Sequence, residues 1–323
     1  MIRVKLALAC VVAMFLVSIN GVKAQTKNEA IVSFNEGVES MKTDPAKAIK
    51  AFEKSIAISD QVGDSAKDVK AKAIQVVPDL YLQVAKKQAT EKKWADAIAA
   101  SKDAIKAGEK YNDAKIKDAS QKLLAQCYVI QGGTFYAAKD FDRALKTFDS
   151  ALIVNPNYTK AQYNKALVYM KTENTPKFIE QSNIVIEKAK ADGDTTMANT
   201  MTKSTGEYLL RSGIKNMQAN KTSEAISNLE TTLKYINNND VYYYLALIYN
   251  KQKKYTDAAT NAKKGLDLEA GTPEAKAKFY YELATALAGQ NKKEEACENF
   301  KNANYGKFVT AVKAQLQNLQ CDK

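Results

Sequence analysis

QCYVIQGGTFYAAKDFDRALKTFDSALIVNPNY, residues 126–158, is the stretch of sequence that decides the fold. Large and small side chains recur along both of its halves at helical intervals, and a polar turn at 138–140 separates the halves. A small residue in each half lets two helices touch closely, while aromatic side chains fill the space on either side. The stretch therefore predicts a pair of antiparallel helices. The residues that carry this pattern are Tyr128, Gly132, Phe135, Ala144, Phe148 and Pro156.

The small residue of the second helix recurs through the chain after a polar turn, and a bulky residue stands between them in three repeats, at Trp94, Phe141 and Tyr255. Its positions are Ala48, Ala97, Ala144, a degenerate match near Phe178, Ala225, Ala258 and Ala296. Large residues follow four positions later at Phe52, Phe148, Leu229 and Phe300. Three intervals are longer than the rest by about a dozen residues, and the added segments around 60–77, 107–122 and 188–204 are polar and suited to helix. We expect them to lengthen helices.

These positions and spacings resemble the tetratricopeptide repeat. The resemblance implies an all-α fold: an α-solenoid of about seven antiparallel helix pairs in a superhelix, with a C-terminal capping helix near 307–319. We expect residues 25–323 to form one such domain. Proline placement fits helix starts or turns, because proline is tolerated in a first turn and disfavoured inside a helix. The prolines are Pro45, Pro78, Pro156, Pro176 and Pro273, with Pro78 expected to open a first helix.

Residues 1–24 have the anatomy of a cleavable signal peptide. Arg3 and Lys5 precede an apolar run over 6–17, and cleavage is expected between Ala24 and Gln25. Cys10 leaves a lipoprotein signal open as an alternative. The apolar run is too short to span a bilayer, so we expect no integral membrane span. The protein is expected to be periplasmic or secreted, and it looks like an envelope protein of a Gram-negative bacterium.

The charge pattern argues against a nucleic-acid partner. The full chain has a net charge of +12, and loss of residues 1–24 removes three cations and leaves +9. Lysines are dispersed along the helices and alternate with acidic residues, whereas a nucleic-acid site needs clustered cations with interleaved aromatics. The charge leaves peripheral association with an anionic envelope surface open.

The residues that usually carry catalysis are missing. The sequence contains no histidine, which removes the commonest general base and zinc ligand, and it has neither a nucleophile elbow nor a phosphate loop. We expect no enzyme activity, cofactor or metal site. In an exported chain we expect Cys297 and Cys321 to form a disulfide, and Cys127 to be a buried free thiol.

The resemblance to tetratricopeptide repeats implies that first helices line a concave groove. Carried over by repeat position, the groove residues are Tyr163, Leu167, Met170, Leu210, Ile214, Met217, Tyr243, Leu247 and Tyr281. This apolar and aromatic stripe suits a protein or peptide partner, with Tyr243 and Tyr281 as anchors that should not affect stability. Trp94, in contrast, is expected to pack between helices. The alternative function is binding of an envelope glycan or another anionic polymer through lysines and tyrosines.

Overall fold

The computed structural model describes residues 26–321, and residues 1–25 and 322–323, which include the expected signal peptide, lie outside the described part. Within that part every α-helix belongs to a hairpin except the last. The helices are α1 (Lys27–Ser40), α2 (Pro45–Val62), α3 (Lys67–Thr90), α4 (Trp94–Lys110), α5 (Ala114–Ala137), α6 (Phe141–Val154), α7 (Thr159–Lys171), α8 (Thr175–Ala191), α9 (Thr195–Gln218), α10 (Thr222–Thr232), α11 (Asn239–Lys251), α12 (Tyr255–Leu268), α13 (Pro273–Gly289), α14 (Lys293–Asn302) and α15 (Val309–Asn318).

The chain divides into two compact units, residues 1–158 and 159–323, whose described parts contain α1–α6 and α7–α15. Within each unit, a first helix packs against the second helix of its hairpin, and that second helix packs against the first helix of the next. This nearest-neighbour pattern defines an α-solenoid. The all-α fold with seven helix pairs and a C-terminal capping helix is confirmed for the described residues.

The turns inside the hairpins share one backbone conformation. In six hairpins a non-glycine residue with positive φ stands five positions before the marker residue of the second helix, and it ends the first helix in the left-handed conformation. In two of the six, the next residue caps the second helix: Asp140 accepts a hydrogen bond from the Arg143 amide, and Asn174 from the Lys177 amide. The positive-φ residues are Lys92, Lys139, Glu173, Asn220, Lys253 and Asn291.

The helix contact inside each hairpin combines one residue from each helix. Gly132 on α5 lies against the Phe148 ring on α6: a Cβ at Gly132 would stand 2.4 Å from a ring carbon. Gly37 with Phe52 and Gly213 with Leu229 repeat this arrangement. Where the second-helix residue is smaller, the first-helix residue is alanine, as by repeat position in Ala85 with Ser101, Ala166 with Ser182, and Ala246 with Ala262. The last hairpin departs from this rule with Ala284 and Phe300.

The fourth hairpin, α7–α8, reverses the sizes on its second helix. Phe178 occupies the place of the marker alanine and Ser182 the place of the following aromatic, and both are fully buried. Phe178 lies in one apolar cluster with Ala166, Val185 and Met201. The degenerate match in the sequence is therefore a packed residue of a complete hairpin.

The added residues of the longer repeats are helical, as expected. Helices α3, α5 and α9 each have 24 residues, whereas α7 and α11 have 13. Pro78 is a correction: it lies inside α3 and does not open it. Val69, Ala73 and Val77 are buried on the preceding turns, so tertiary packing holds the helix through a residue that usually ends it.

Candidate functional site

The nine groove residues all lie on first helices of the second unit. Tyr163, Leu167 and Met170 are on α7; Leu210, Ile214 and Met217 on α9; Tyr243 and Leu247 on α11; and Tyr281 on α13. Every one of the nine is half-buried. Half-burial is what a surface needs if it is both held by the fold and open to a partner.

Several groove residues also pack against hairpin cores. Tyr163 and Met170 contact the cluster around Phe178, and Leu210 and Met217 contact the cluster around Leu229. Their side chains are therefore held in place before any partner arrives, which lowers the entropy that binding must remove.

Tyr243 lies among aromatic and charged neighbours on α11 and α13. Its ring is 6.3 Å from that of Phe279 in an edge-on arrangement and 5.1 Å from that of Tyr244. The Lys278 ammonium stands 5.9 Å from the ring centre. Burial, and then the nearby Glu282 carboxyl, raises the pKa of the Tyr243 phenol to about 12. Tyr243 thus stays a neutral hydroxyl at physiological pH.

Tyr281 has a structural role that the sequence did not reveal. Its ring centre is 5.6 Å from that of Phe300 on α14 and 5.2 Å from that of Phe308, just before α15. Three rings contributed by separate elements hold the C-terminal cap together. The packing therefore predicts that Tyr281→Ala lowers stability, contrary to the expectation from the sequence.

A buried polar pair connects α11 to α13 beside Tyr243. The Glu282 side chain is on a residue only 3% exposed, and the Asn250 amide nitrogen donates to its Oε2 at 2.8 Å and to its backbone carbonyl at 2.9 Å. The Asn250 Oδ1 atom is buried without a hydrogen-bond partner among the described residues. Burial raises the pKa of the Glu282 carboxyl to about 7. In the sequence, the only sign of this buried carboxyl is an acidic residue inside the apolar run of α13.

A second apolar surface, missed by sequence reasoning, is a pocket of about 420 Å³ in the first unit. It lies between α3 and α5, with Trp94 at the start of α4 on its wall. Trp94 packs against the buried cluster of Ala97, Ile98, Leu124 and Cys127, as expected for a residue between helices, and its side chain is half-buried. The pocket is lined by Lys86, Ala89, Thr90, Trp94, Leu123, Gln126, Cys127 and Ile130.

The cysteines are arranged as the sequence reasoning expected. Cys297 and Cys321 are joined by a disulfide with their Cα atoms 5.6 Å apart. Cys127 is a free thiol, 1% exposed, and burial raises its pKa. A buried thiol with a raised pKa is a poor nucleophile, so Cys127 acts as a small core residue.

Two further properties concern the described residues alone. Residues 26–321 contain no group of three or more metal-ligating side chains close enough to hold an ion. Nor does any helix in that range have the length and apolar character to cross a membrane.

Comparison with known proteins places the repeat signal in the middle of the chain. A tetratricopeptide repeat family model matches residues 131–189, which run from α5 into α8. The Hsp70-Hsp90 organising protein of Plasmodium falciparum is 40% identical over 58 residues, a segment that is 18% of this chain and 10% of that protein. The chain thus matches about a tenth of the length of that curated relative.

Solved structures of similar architecture include a tetratricopeptide repeat protein from Parabacteroides merdae, 15% identical, with 91% of this chain and 99% of that chain covered and a TM-score of 0.29. The MamA protein is 20% identical, with 60% and 94% covered and a TM-score of 0.30. The family match lies on hairpins whose small and large residues recur along the described chain. Residues 131–189 of this chain are therefore similar to the tetratricopeptide repeat family.

Proposed function

We propose that the chain is a non-catalytic scaffold that binds a protein or peptide partner along the first helices of its second unit. The observation that carries the proposal is the set of nine apolar and aromatic groove residues, all half-buried after the hairpins have packed. Such a surface suits an amphipathic helix or an extended segment with large side chains. Methionine at positions 170 and 217 adds a flexible apolar contact.

The role of the two tyrosine anchors differs under this proposal. Tyr243 is available as a neutral hydroxyl on a preorganised ring, while Tyr281 is half-buried and also braces the cap. Leu247 and Ile214 supply the neighbouring apolar contacts. The pocket beside Trp94 offers a comparable surface in the first unit, with Ile130 exposed to 42%.

Selection from a random peptide library tests the proposal directly. We expect a library of twelve-residue peptides displayed on phage to yield binders rich in Leu, Phe, Met or Trp. Ile214→Asp and Leu247→Asp should abolish their binding, because a charge in an apolar contact must be desolvated. Ile153→Asp is the matched control, since Ile153 is 82% exposed on α6. Binders that tolerate both groove changes while the variants keep their melting temperatures would contradict the groove.

The location of the protein is a separate part of the proposal. We propose that it is exported to the periplasm or secreted after loss of residues 1–24. The expected signal anatomy and the disulfide between Cys297 and Cys321 support this, since disulfides persist in oxidising compartments. N-terminal sequencing of protein from the cell envelope should begin at Gln25. An uncleaved chain in the cytosol would refute it.

A further inference from the structure

The second unit contains a polar pocket that the groove does not include. Its volume is about 490 Å³, within the range of small-molecule sites. It lies between the turn that joins α7 to α8 and the helix α9, and it extends to the start of α10. The lining residues are Glu173, Thr175, Tyr208, Arg211, Ser212, Lys215, Asn216, Ala219 and Lys221.

The lining carries three cations and one carboxylate. Both oxygens of Glu173 are engaged by the Lys215 ammonium, at 2.7 and 2.6 Å, and this contact lowers the pKa of the Glu173 carboxyl. Glu173 and Lys215 therefore neutralise each other. The side chains of Arg211 and Lys221 line the same pocket without a hydrogen bond or ion pair to another described residue. The pocket has two uncompensated positive charges.

The hydroxyl groups of the pocket add further donors. Thr175 Oγ1 and the Tyr208 hydroxyl are 3.0 Å apart and share one hydrogen bond, so one of the two O–H groups remains free to donate. The Ser212 hydroxyl accepts from the Asn228 amide at 3.0 Å, which leaves its own proton available. Unused donors thus outnumber unused acceptors, and an anion is the ligand that this balance favours.

The unusual residue of the fourth hairpin holds this pocket in shape. Phe178, which replaces the marker alanine, packs edge-on against the Tyr208 ring with centres 4.6 Å apart. An alanine at position 178 would leave that ring without its support. The departure from the repeat pattern therefore has a local consequence: it fixes the side chain whose hydroxyl lies in the pocket wall.

We propose that this pocket binds a small hydroxylated molecule bearing a carboxylate or phosphoryl group. Arg211 would hold the anionic group in a forked contact, Lys221 would add charge, and the hydroxyls of Ser212, Thr175 and Tyr208 would bond the polar body of the ligand. The proposal is independent of the groove, which shares only α9 with the pocket and lies on other residues of that helix.

Calorimetric titration of the full chain tests it with three probes: glucuronate, glucose 6-phosphate and glucose. We expect at least one of the two anions to bind and glucose not to bind, and the tighter anion identifies the carboxylate or the phosphoryl source. Raising the salt concentration should weaken binding because exposed charges are screened. Binding of neither anion at millimolar concentration would overturn the proposal, as would equal binding of glucose.

Substitutions locate the site. Arg211→Gln and Lys221→Gln should each weaken the anion by about tenfold or more, the loss expected for one charge-assisted hydrogen bond. Tyr208→Phe keeps the ring against Phe178 and should cost a smaller factor. Lys190→Gln, an exposed charge on α8, is the matched control and should leave affinity within about twofold. Equal losses in the control and pocket variants would show general charge attraction and refute the pocket.

Discussion

The hairpins α5–α6 and α7–α8 use the same repeat positions for the contact between their helices, but large and small residues have changed places on the second helix. In α6 the order is Ala144 then Phe148, and in α8 it is Phe178 then Ser182. The first helix changes with it, from Gly132 to Ala166. What is kept is the filled volume between two helices at close packing density, so residue type at any single position is a weaker guide.

The largest expected effect comes from removing either ring. Phe148→Ala and Phe178→Ala should each lower the free energy of unfolding by about 3–5 kcal/mol, because both rings are fully buried and leave a cavity. Urea unfolding measures both. Near-equal losses would support the equivalence of the two arrangements. If Phe178→Ala leaves the free energy of unfolding unchanged, the two arrangements are not equivalent.

The exchange itself can be rebuilt. Phe178→Ala with Ser182→Phe should recover only part of the loss, since Ala166 would crowd a ring at 182 as a Cβ at Gly132 would crowd Phe148. Adding Ala166→Gly should recover more. If the triple variant is no more stable than Phe178→Ala alone, the two hairpins are not related by an exchange of volume.

The hairpin residues above differ in size, whereas Glu282, at the contact of α11 with α13, adds a buried group that can carry a charge. Its folded pKa is about 7, against an ordinary value of 4.5, so the folded state holds the proton more tightly. Stability should therefore fall by up to about 3 kcal/mol as pH rises from 4.5 to 7 and stay level above that. Thermal melts of Glu282→Gln should lose this dependence and show higher stability at pH 8. The exposed Glu298→Gln is the control, and an unchanged pH profile in Glu282→Gln would contradict the assignment.

The close approach in α5–α6 can be tested by one methyl group. Gly132→Ala should destabilise by about 1–3 kcal/mol, because its Cβ would lie 2.4 Å from Phe148. Gly133→Ala meets nothing within 4 Å and should stabilise by about 0.5–1 kcal/mol through helix propensity. Opposite signs from adjacent glycines would be hard to explain by anything except the ring contact. A change in stability of the same sign at both glycines would contradict the ring contact.

The smallest expected effect concerns the left-handed turn conformation that the two hairpins share. Lys139 has φ of 60° and Glu173 has φ of 55° at the same turn position. Lys139→Gly should stabilise by about 0.5–1 kcal/mol, since glycine adopts this conformation without a steric penalty. A lower denaturant midpoint for Lys139→Gly would show that the aliphatic part of the lysine makes a contact that stabilises the fold by more than the backbone strain destabilises it. Glu173→Gly would not be equivalent because it also removes the bond to Lys215.

Most of the fold could be predicted from sequence, because the small residues at 48, 97, 144, 225, 258 and 296 report contacts between helices adjacent in the chain. The signal failed where a side chain outside the local sequence pattern decides the outcome. Pro78 reads locally as a helix start, yet burial on both sides continues the helix. Tyr281 reads as a groove position, yet Phe300 and Phe308 lie against it. Glu282 contacts Asn250 and Phe178 contacts Tyr208, and the members of each pair are about 30 residues apart in the chain, so no local pattern contains them.

The disulfide at the C-terminal cap also limits how far the chain can be extended by a pulling force. Cys297 lies on α14 and Cys321 just beyond α15, with 24 residues of separation. A repeat array loses order one repeat after another, so α15 would be expected to peel away first from its end. The covalent link makes α14 and α15 leave together and keeps the loop closed afterwards. When the two ends are pulled apart, the oxidised chain should extend about 80 Å less than the reduced one, as 24 extended residues imply.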